Sequence, residues 1–570
     1  MVHKSKNLIS GGEAIIRSLI DLGVKVIFGI PGGALLPTYD VLYSFEKKKK
    51  IKHILCRHEQ GAAHAAEGYA RASREVGVCM ATSGPGATNL VTGICNAYMD
   101  SVPIVCLTGQ VPTPVIGTDA FQEADIIGIT APITKWNYQI TSAKEIPEIL
   151  AKAFYIAKTG RPGPVLIDLP KNVQIEKMEY YPPPKKVFID SYQPTLKPHI
   201  KQIKLAAKLL NEAKKPYVLV GHGVLISKAE KELKRFIEKG NYPTAVTLHG
   251  VSTLPYDHPL FVGFVGMHGN YGANVLTNEA DVILAIGMRF DDRVTGKLSE
   301  YAKNAKIIHI DIDPAELNKN VKAEVPIVAD AKEALKELIK HIKKRDHSDW
   351  LKEFRKYDKI EKEKVIKKAL TCKGEIIKMA YVVDLLSKKT KGEAIVVADV
   401  GQNQMLPPRY YKFKIPNSHI TAGGLGPMGF GLPASIGAKV AFPQREVVAI
   451  LGDGGFQMTI QELGTISHYQ IPVKIIVLNN SYLGMVRQWQ ELFYQKRYSQ
   501  TFLKNPDFIQ ISKGYGIEAE RVIKKSDLSK ALDRLIFSKK PYLLDVIVEK
   551  EDKIFPMVPA GASLKEIILE

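Results

Sequence analysis

Gly452-Asp453-Gly454 closes the short apolar run 446–451, and the amide pair Asn479-Asn480 closes a second run, 473–478. A hard cation such as Mg²⁺ takes oxygen ligands in near-octahedral geometry and shares the phosphates of a substrate or cofactor rather than filling an all-protein cage. One carboxylate, one side-chain amide and glycines that let the backbone approach a diphosphate make such a clamp. Both motifs end expected parallel strands, where open α/β sheets bind ligands. Taken alone, Gly-Asp-Gly fits an ordinary turn equally well; the Asn pair at this spacing favours the clamp.

Glu59 is the second candidate. It follows an expected buried strand, residues 51–56, and opens the Ala-rich helical stretch 60–70. An acid at a strand-to-helix turn faces a cleft, although a helix-start carboxylate also favours the macrodipole. His58 and His64 flank it without zinc-site spacing and read as polar or packing residues.

Residues 452–480 resemble the thiamin diphosphate signature of the decarboxylase, synthase and carboligase family, and Arg57-His-Glu-Gln-Gly-Ala62 is similar to that family's activating-glutamate motif. Over nearly the whole chain the resemblance is closest to catalytic subunits of the acetohydroxyacid (acetolactate) synthase family. It is carried by Phe28-Gly-Ile-Pro-Gly-Gly-Ala34, Asp119-Ala-Phe-Gln-Glu-Ala-Asp125, Gly160-Arg-Pro-Gly-Pro-Val165, Gly287-Met-Arg-Phe-Asp-Asp-Arg-Val-Thr-Gly296, Gly423-Gly-Leu-Gly-Pro-Met-Gly429 and Leu478-Asn-Asn-Ser-Tyr-Leu-Gly-Met-Val-Arg-Gln-Trp489.

The resemblance implies thiamin diphosphate, Mg²⁺ and FAD as cofactors. Asp453, Asn480 and the carbonyl of Tyr482 are the implied metal ligands. Gly32, Gln402, Asn403, Gly426, Met428 and Gly454 are implied around the thiamin cofactor, with Glu59 as its activating acid. Arg161, His268, Gly287, Arg289, Asp311 and Asp330 are implied at the flavin, which has no evident redox task. Met485, Val486 and Trp489 are the implied acceptor pocket, and Gln122 and Lys171 belong to the active-site wall or a subunit boundary. Two departures stand out: Asn403 replaces a usual His, and Pro427 a usual Thr, Ser or Ala.

The implied reaction is decarboxylation of pyruvate and ligation of the two-carbon unit to pyruvate, giving 2-acetolactate, or to 2-oxobutyrate, giving 2-aceto-2-hydroxybutyrate, in valine, leucine and isoleucine biosynthesis. The alternatives are another thiamin diphosphate carboligase, a 2-oxoacid oxidase, or a non-catalytic paralogue. The family pairs Glu59 and the clamp across two chains, so a homodimer or homotetramer is expected, with a separate small regulatory subunit.

The elements that must position these residues follow from pattern. At 570 residues, with 45% hydrophobic and 24% charged side chains, the chain has room for three globular domains. Alternating strand and helix signals point to α/β architecture with three doubly wound parallel sheets: a pyrimidine-binding domain over 1–180, a central FAD-binding domain over 195–345, a diphosphate- and Mg-binding domain over 371–548, and a tail, 549–570. Residues 180–198 read as a Pro-containing linker and 346–370 as a charged surface connector helix. Gly84-Pro-Gly between a strand and a helix start fits a phosphate cradle or a tight turn.

No apolar run of about eighteen residues occurs, so no membrane span is expected. Residues 1–7 run straight into a helical pattern, which suggests no leader and a cytoplasmic location, or an organelle stroma if organelle-encoded. The five cysteines form no Cys-x-x-Cys pair and read as reduced, buried small side chains. The net charge of +20 is spread over Lys-rich faces such as 47–50 and 332–368, without a nucleic-acid motif, so no nucleic-acid partner is expected.

Overall fold

The computed structural model describes residues 8–570; the expected absence of a leader at residues 1–7 lies outside them. Three six-stranded sheets follow one another along the chain, and every neighbouring pair of strands within them is parallel. From edge to edge the first runs Lys52–Leu55, Val26–Gly29, Gly77–Ala81, Ile104–Gln110, Val165–Pro170, Trp136–Gln139. The second runs Phe261–Phe264, Thr244–Val246, Pro216–Val220, Val282–Ile286, Lys306–Asp311, Val325–Val328. The third runs His419–Ile420, Ile395–Ala398, Val447–Gly452, Lys474–Asn479, Tyr542–Ile547, Glu518–Val522.

Taken in chain order within each sheet, the first and third share the sequence 2-1-3-4-6-5, whereas the middle sheet has 3-2-1-4-5-6, the dinucleotide-binding order. The central strands are buried along their length, as continuous Val/Ile/Leu runs require when helices cover both faces. Among the described residues no helix is long and apolar enough to cross a membrane.

The first and third sheets meet through two helices, Glu59–Ser73 and Gly431–Ala441. Small residues let the backbones touch: a Cβ on Gly68 would sit 2.0 Å from Ala434 O, and one on Gly437 would sit 1.8 Å from Ala65 O. Glu462 reinforces the contact by accepting the backbone N–H of Arg57 (3.1 Å) and His58 (3.0 Å).

The charged stretch after residue 345 forms helix Ser348–Glu361, prolonged by a π turn, Lys362–Ile366. It is less superficial than expected, because Trp350 and Phe354 are buried and Glu361 takes Arg409, Asn270 Nδ2 and the N–H of Tyr271. Residues 549–570 return to the middle domain: Val558 N donates to Met267 O (2.7 Å), and Met557, Val558 and Leu564 are buried. All five cysteines are free; Cys56, Cys79 and Cys106 are buried as expected, while Cys95 and Cys372 are only partly so, Cys95 on a helix face and Cys372 in an irregular stretch.

The helix crossing yields the first prediction. Gly437→Val places a branched side chain against the backbone of the facing helix, and overpacking of this kind costs about 1 to 3 kcal/mol or more. Urea unfolding should show that loss, and an unchanged midpoint would mean that the helices slide apart at no cost.

Candidate active site

The clamp is assembled by two adjacent strands. Val447–Gly452 lies in register with Lys474–Asn479, Gly452 opposite Leu478, so the acid and the amide pair leave the sheet side by side. Asp453 is the first residue of a helix, Asp453–Met458. Its carboxylate accepts Gly454 N (3.1 Å), Ser481 N (2.8 Å) and Asn505 Nδ2 (2.7 Å). Asn480 Oδ1 accepts Tyr482 N (3.1 Å), and its Nδ2 donates to Gln402 Oε1 (3.3 Å). Ser481, at φ 61°, makes the turn between them. Gly484 lets the Gln402 amide approach: a Cβ there would lie 2.1 Å from Gln402 Oε1 and displace it.

Asn403 spends its amide on the carbonyls of Asp399 (2.7 Å) and Ile450 (3.1 Å), tying two strand ends together. Met428 reaches Gly454, whose Cβ would meet its Cε at 3.4 Å. Burial pushes the Asp453 carboxyl up to about 6, and among the described residues no Lys or Arg pairs with it. That missing positive charge is what a divalent cation would provide. Among the described residues no group of three or more His, Cys, Asp or Glu gathers to hold a metal, so a cation here would depend on shared phosphate oxygens.

Glu59, Gly32 and Gln122 converge elsewhere, on the turn Thr82–Gly86. A Cβ on Gly32 would strike Thr82, one on Gly84 would strike Gln122, and one on Gly86 would reach Glu59 Oε1 at 3.4 Å. Glu59 Oε2 accepts Asn89 Nδ2 at 2.9 Å. Lys171 starts the helix Lys171–Ile175 beyond Val165–Pro170.

The remaining sequence candidates line one cavity of about 620 Å³: Arg161, His268, Gly287, Arg289, Asp311 and Asp330 on one side, Gly426, Met428, Met485, Val486 and Trp489 on the other. Apart from Arg161, which follows helix Ile146–Lys158 of the first domain, the first set sits beyond the ends of the middle strands. At the switch point between Pro216–Val220 and Val282–Ile286 the chain is so close that a Cβ on Gly221 would lie 2.1 Å from Gly287 O, and Gly287 itself has φ 56°. Arg161 is held by Glu316 (2.8 Å), Asp313 (3.2 Å) and Ser101 (2.8 Å). His268 leans on Pro556 O (3.1 Å), and burial lowers its imidazole to about 4. Asp330 doubles as the N-cap of Ala331–His341.

Four residues that sequence reasoning passed over support these sets: Asn89, Asn505, Asp399 and Asp100. Asp399 ends a strand just as Asp453 does, and that signal was readable. Asn505 was not, because it lies in an irregular stretch and reaches Asp453 only where residues 501–503 pair with 481–483.

Among the described residues the Asp311 carboxylate accepts only Asp313 N (2.9 Å), and burial pushes it up to about 7. Its folded value therefore lies above the unfolded one, the native state holds a proton that the unfolded chain has lost, and stability falls as pH rises from about 4 to about 7. The apo protein's melting midpoint should fall more between about pH 4.5 and about pH 7.5 than that of Asp311→Asn. Equal slopes would clear Asp311 of this cost.

Comparison with known proteins agrees with this arrangement. The chain matches the thiamine pyrophosphate enzyme N-terminal TPP binding domain over residues 9–129, the central domain over 203–338 and the C-terminal TPP binding domain over 399–546. It is 50% identical to the probable acetolactate synthase large subunit of Methanocaldococcus jannaschii, covering 98% of this chain and 95% of that one. It is 47% identical to the acetolactate synthase large subunit of Corynebacterium glutamicum (98% and 90% covered) and 46% to that of Lactococcus lactis (98% and 96%). With two thiamin diphosphate-binding domains flanking a central one, and such relatives along its length, the chain belongs to the acetolactate synthase large-subunit family of thiamine pyrophosphate enzymes.

Proposed function

We propose that the chain catalyses acetolactate synthesis: decarboxylation of pyruvate and ligation of the two-carbon unit to pyruvate or 2-oxobutyrate. The observation that carries this reading is the single cavity in which Trp489, Met485, Val486 and Met428 face the glycine-lined end of the middle sheet. Thiamin diphosphate, when bound, supplies the electron sink that 2-oxoacid decarboxylation needs.

Asp453, Asn480 and the main chain at Tyr482 would hold Mg²⁺, which offsets the uncompensated Asp453 charge. Gly426 would leave room for the cofactor, Asn403 ties two strand ends together, Gln402 holds the Asn480 amide (3.3 Å), and Met428, lying against Gly454, would support the cofactor. Glu59, oriented by Asn89, would hold a proton at the cofactor's ring nitrogen. Trp489, Met485 and Val486 would offer an apolar wall to the alkyl group of the acceptor.

FAD would be held by Arg161, His268, Gly287, Arg289, Asp311 and Asp330, which line the cavity. Support for it comes from the strand order of the middle sheet and the Gly221–Gly287 backbone contact. Carboligation moves no net electrons, so the flavin would stay oxidised. Glu59, Gly32 and Gln122 are not in the cavity wall, which supports a second copy of the chain completing each site; Phe121, next to Gln122, is 88% exposed. The large-subunit names of the relatives support a small regulatory partner.

Protein supplied with thiamin diphosphate, Mg²⁺ and FAD should be yellow and convert pyruvate to acetolactate without flavin reduction. No acetolactate overturns the reading, and flavin reduction moves it to a 2-oxoacid oxidase. Glu59→Gln should cut turnover at least about a hundredfold with cofactor binding retained, and Asp453→Ala should weaken cofactor binding itself. Glu59→Gln within a few-fold of the parent would remove its role.

Trp489→Leu addresses the acceptor. Discrimination by one methylene is worth about 1 to 3 kcal/mol, and the indole narrows the pocket while touching the extra methyl of 2-oxobutyrate. The product ratio in a competition between the two acceptors should shift towards acetolactate, while an unchanged ratio in an active variant returns Trp489 to a packing role.

A further inference from the structure

The loop Gly423–Gly429 carries Gly426 and Met428 into the cavity, and two buried carboxylates grip its ends. At the far end Asp399 accepts Gly429 N (3.0 and 3.1 Å) and Val400 N (2.8 Å), all within the third domain. At the near end the acceptor comes from the first domain. Asp100, the C-cap of helix Val91–Met99, takes Gly423 N on Oδ2 (3.0 Å) and Gly424 N on Oδ1 (2.7 Å). The fit is tight: a Cβ on Gly424 would lie 2.7 Å from Asp100 Oδ1.

The same carboxylate is bound from two other sides. Arg71 donates to Oδ2 at 2.6 Å, and His249 Nε2, in the middle domain, lies 3.1 Å from Oδ1. Arg71 belongs to the helix that begins at Glu59, and it also lies over the ring of Phe430, at 5.4 Å, just beyond the loop. Asp100 and His249 both line the cavity. One fully buried side chain thus joins three domains at the point where the loop enters. Arg71 and the two loop amides fill three of the roughly four acceptor sites a carboxylate offers, and the Arg71 bond is charge-assisted and directional.

We propose that Asp100 is a positioning residue: by accepting both loop amides while pinned by Arg71 and packed beside His249, it sets the Gly423–Met428 loop against the first and middle domains, and so places Met428 for the bound thiamin cofactor. This rests on the functional reading above. Asp100 touches no reacting group; it acts through the loop.

Asp100→Asn tests it. An amide cannot accept at both oxygens' places, so one loop N–H faces an NH₂ and loses its acceptor. Titration of the protein with thiamin diphosphate and Mg²⁺, followed by the tryptophan fluorescence to which Trp489 of the cavity wall contributes beside Trp136 and Trp350, gives the half-saturation point. It should rise about tenfold, which is about 1.4 kcal/mol and within what one unsatisfied buried donor costs.

Glu230→Gln, which breaks the Arg74–Glu230 ion pair between the same first and middle domains, is the control: it should lower the melting midpoint and leave half-saturation in place. If Asp100→Asn behaves as Glu230→Gln does, the clasp is structural only and the proposal falls. Should Asp100→Asn be insoluble, Gly424→Ala pushes the loop off the same carboxylate without altering the buried charge; an unchanged half-saturation in that variant also overturns the proposal. A parent with no saturable response overturns the functional reading and this proposal together, whereas a saturable parent with an unmoved variant overturns the proposal alone.

Discussion

Two glycines, Gly68 and Gly437, let helices Glu59–Ser73 and Gly431–Ala441 cross with backbone against backbone, and the positions of the first and third sheets follow from that contact. Side chains of ordinary size would hold the axes apart and leave the Glu462 carboxylate out of reach of the Arg57 and His58 amides. Around the crossing lies a buried polar chain in which Glu67 takes His64 (2.9 Å) and Asn96 (2.7 Å), and Arg71 reaches both Glu67 and Asp100. Such a chain contributes little net stability, because desolvation offsets most of the attraction, but removing one partner strands a buried charge and costs several kcal/mol. Its value is therefore geometric: it permits one mutual placement of the domains and penalises others.

Much of the architecture was legible because parallel strands covered on both faces must be continuous apolar runs. The runs ending at Ala398, Gly452 and Asn479 announced both the strands and their ligand-facing ends. The middle sheet's order was not legible, since strand neighbours depend on crossovers that no local pattern encodes. The strand order shared by the first and third sheets is likewise visible only in the assembled topology.

The candidate site divides the same way. Asp453, Asn480 and Glu59 stand next to strand ends and could be picked out from neighbours in the sequence. Asn89, Asn505 and Asp100 act on partners reached only through tertiary packing: Asp100 on Gly423 and Gly424 across more than three hundred residues, and Asn505 on Asp453 across an irregular stretch. The charged run 346–370 shows the opposite failure. Its composition says surface, but one face of the helix buries Trp350 and Phe354 and its end buries Glu361, because a single apolar stripe is enough to dock an otherwise solvated helix.

The contact between Arg57 and Glu462 spans 405 residues of chain, and the whole middle domain lies between. Contacts of such long range are slow to form, because their loop-closure entropy is spent before any packing is gained. The alanine face of Glu59–Ser73 must therefore remain uncovered while the central sheet assembles. In a dilute refolding reaction this chain should pass through a state with three formed sheets and an open seam. In a crowded one, that seam is where two copies would stick in the wrong register.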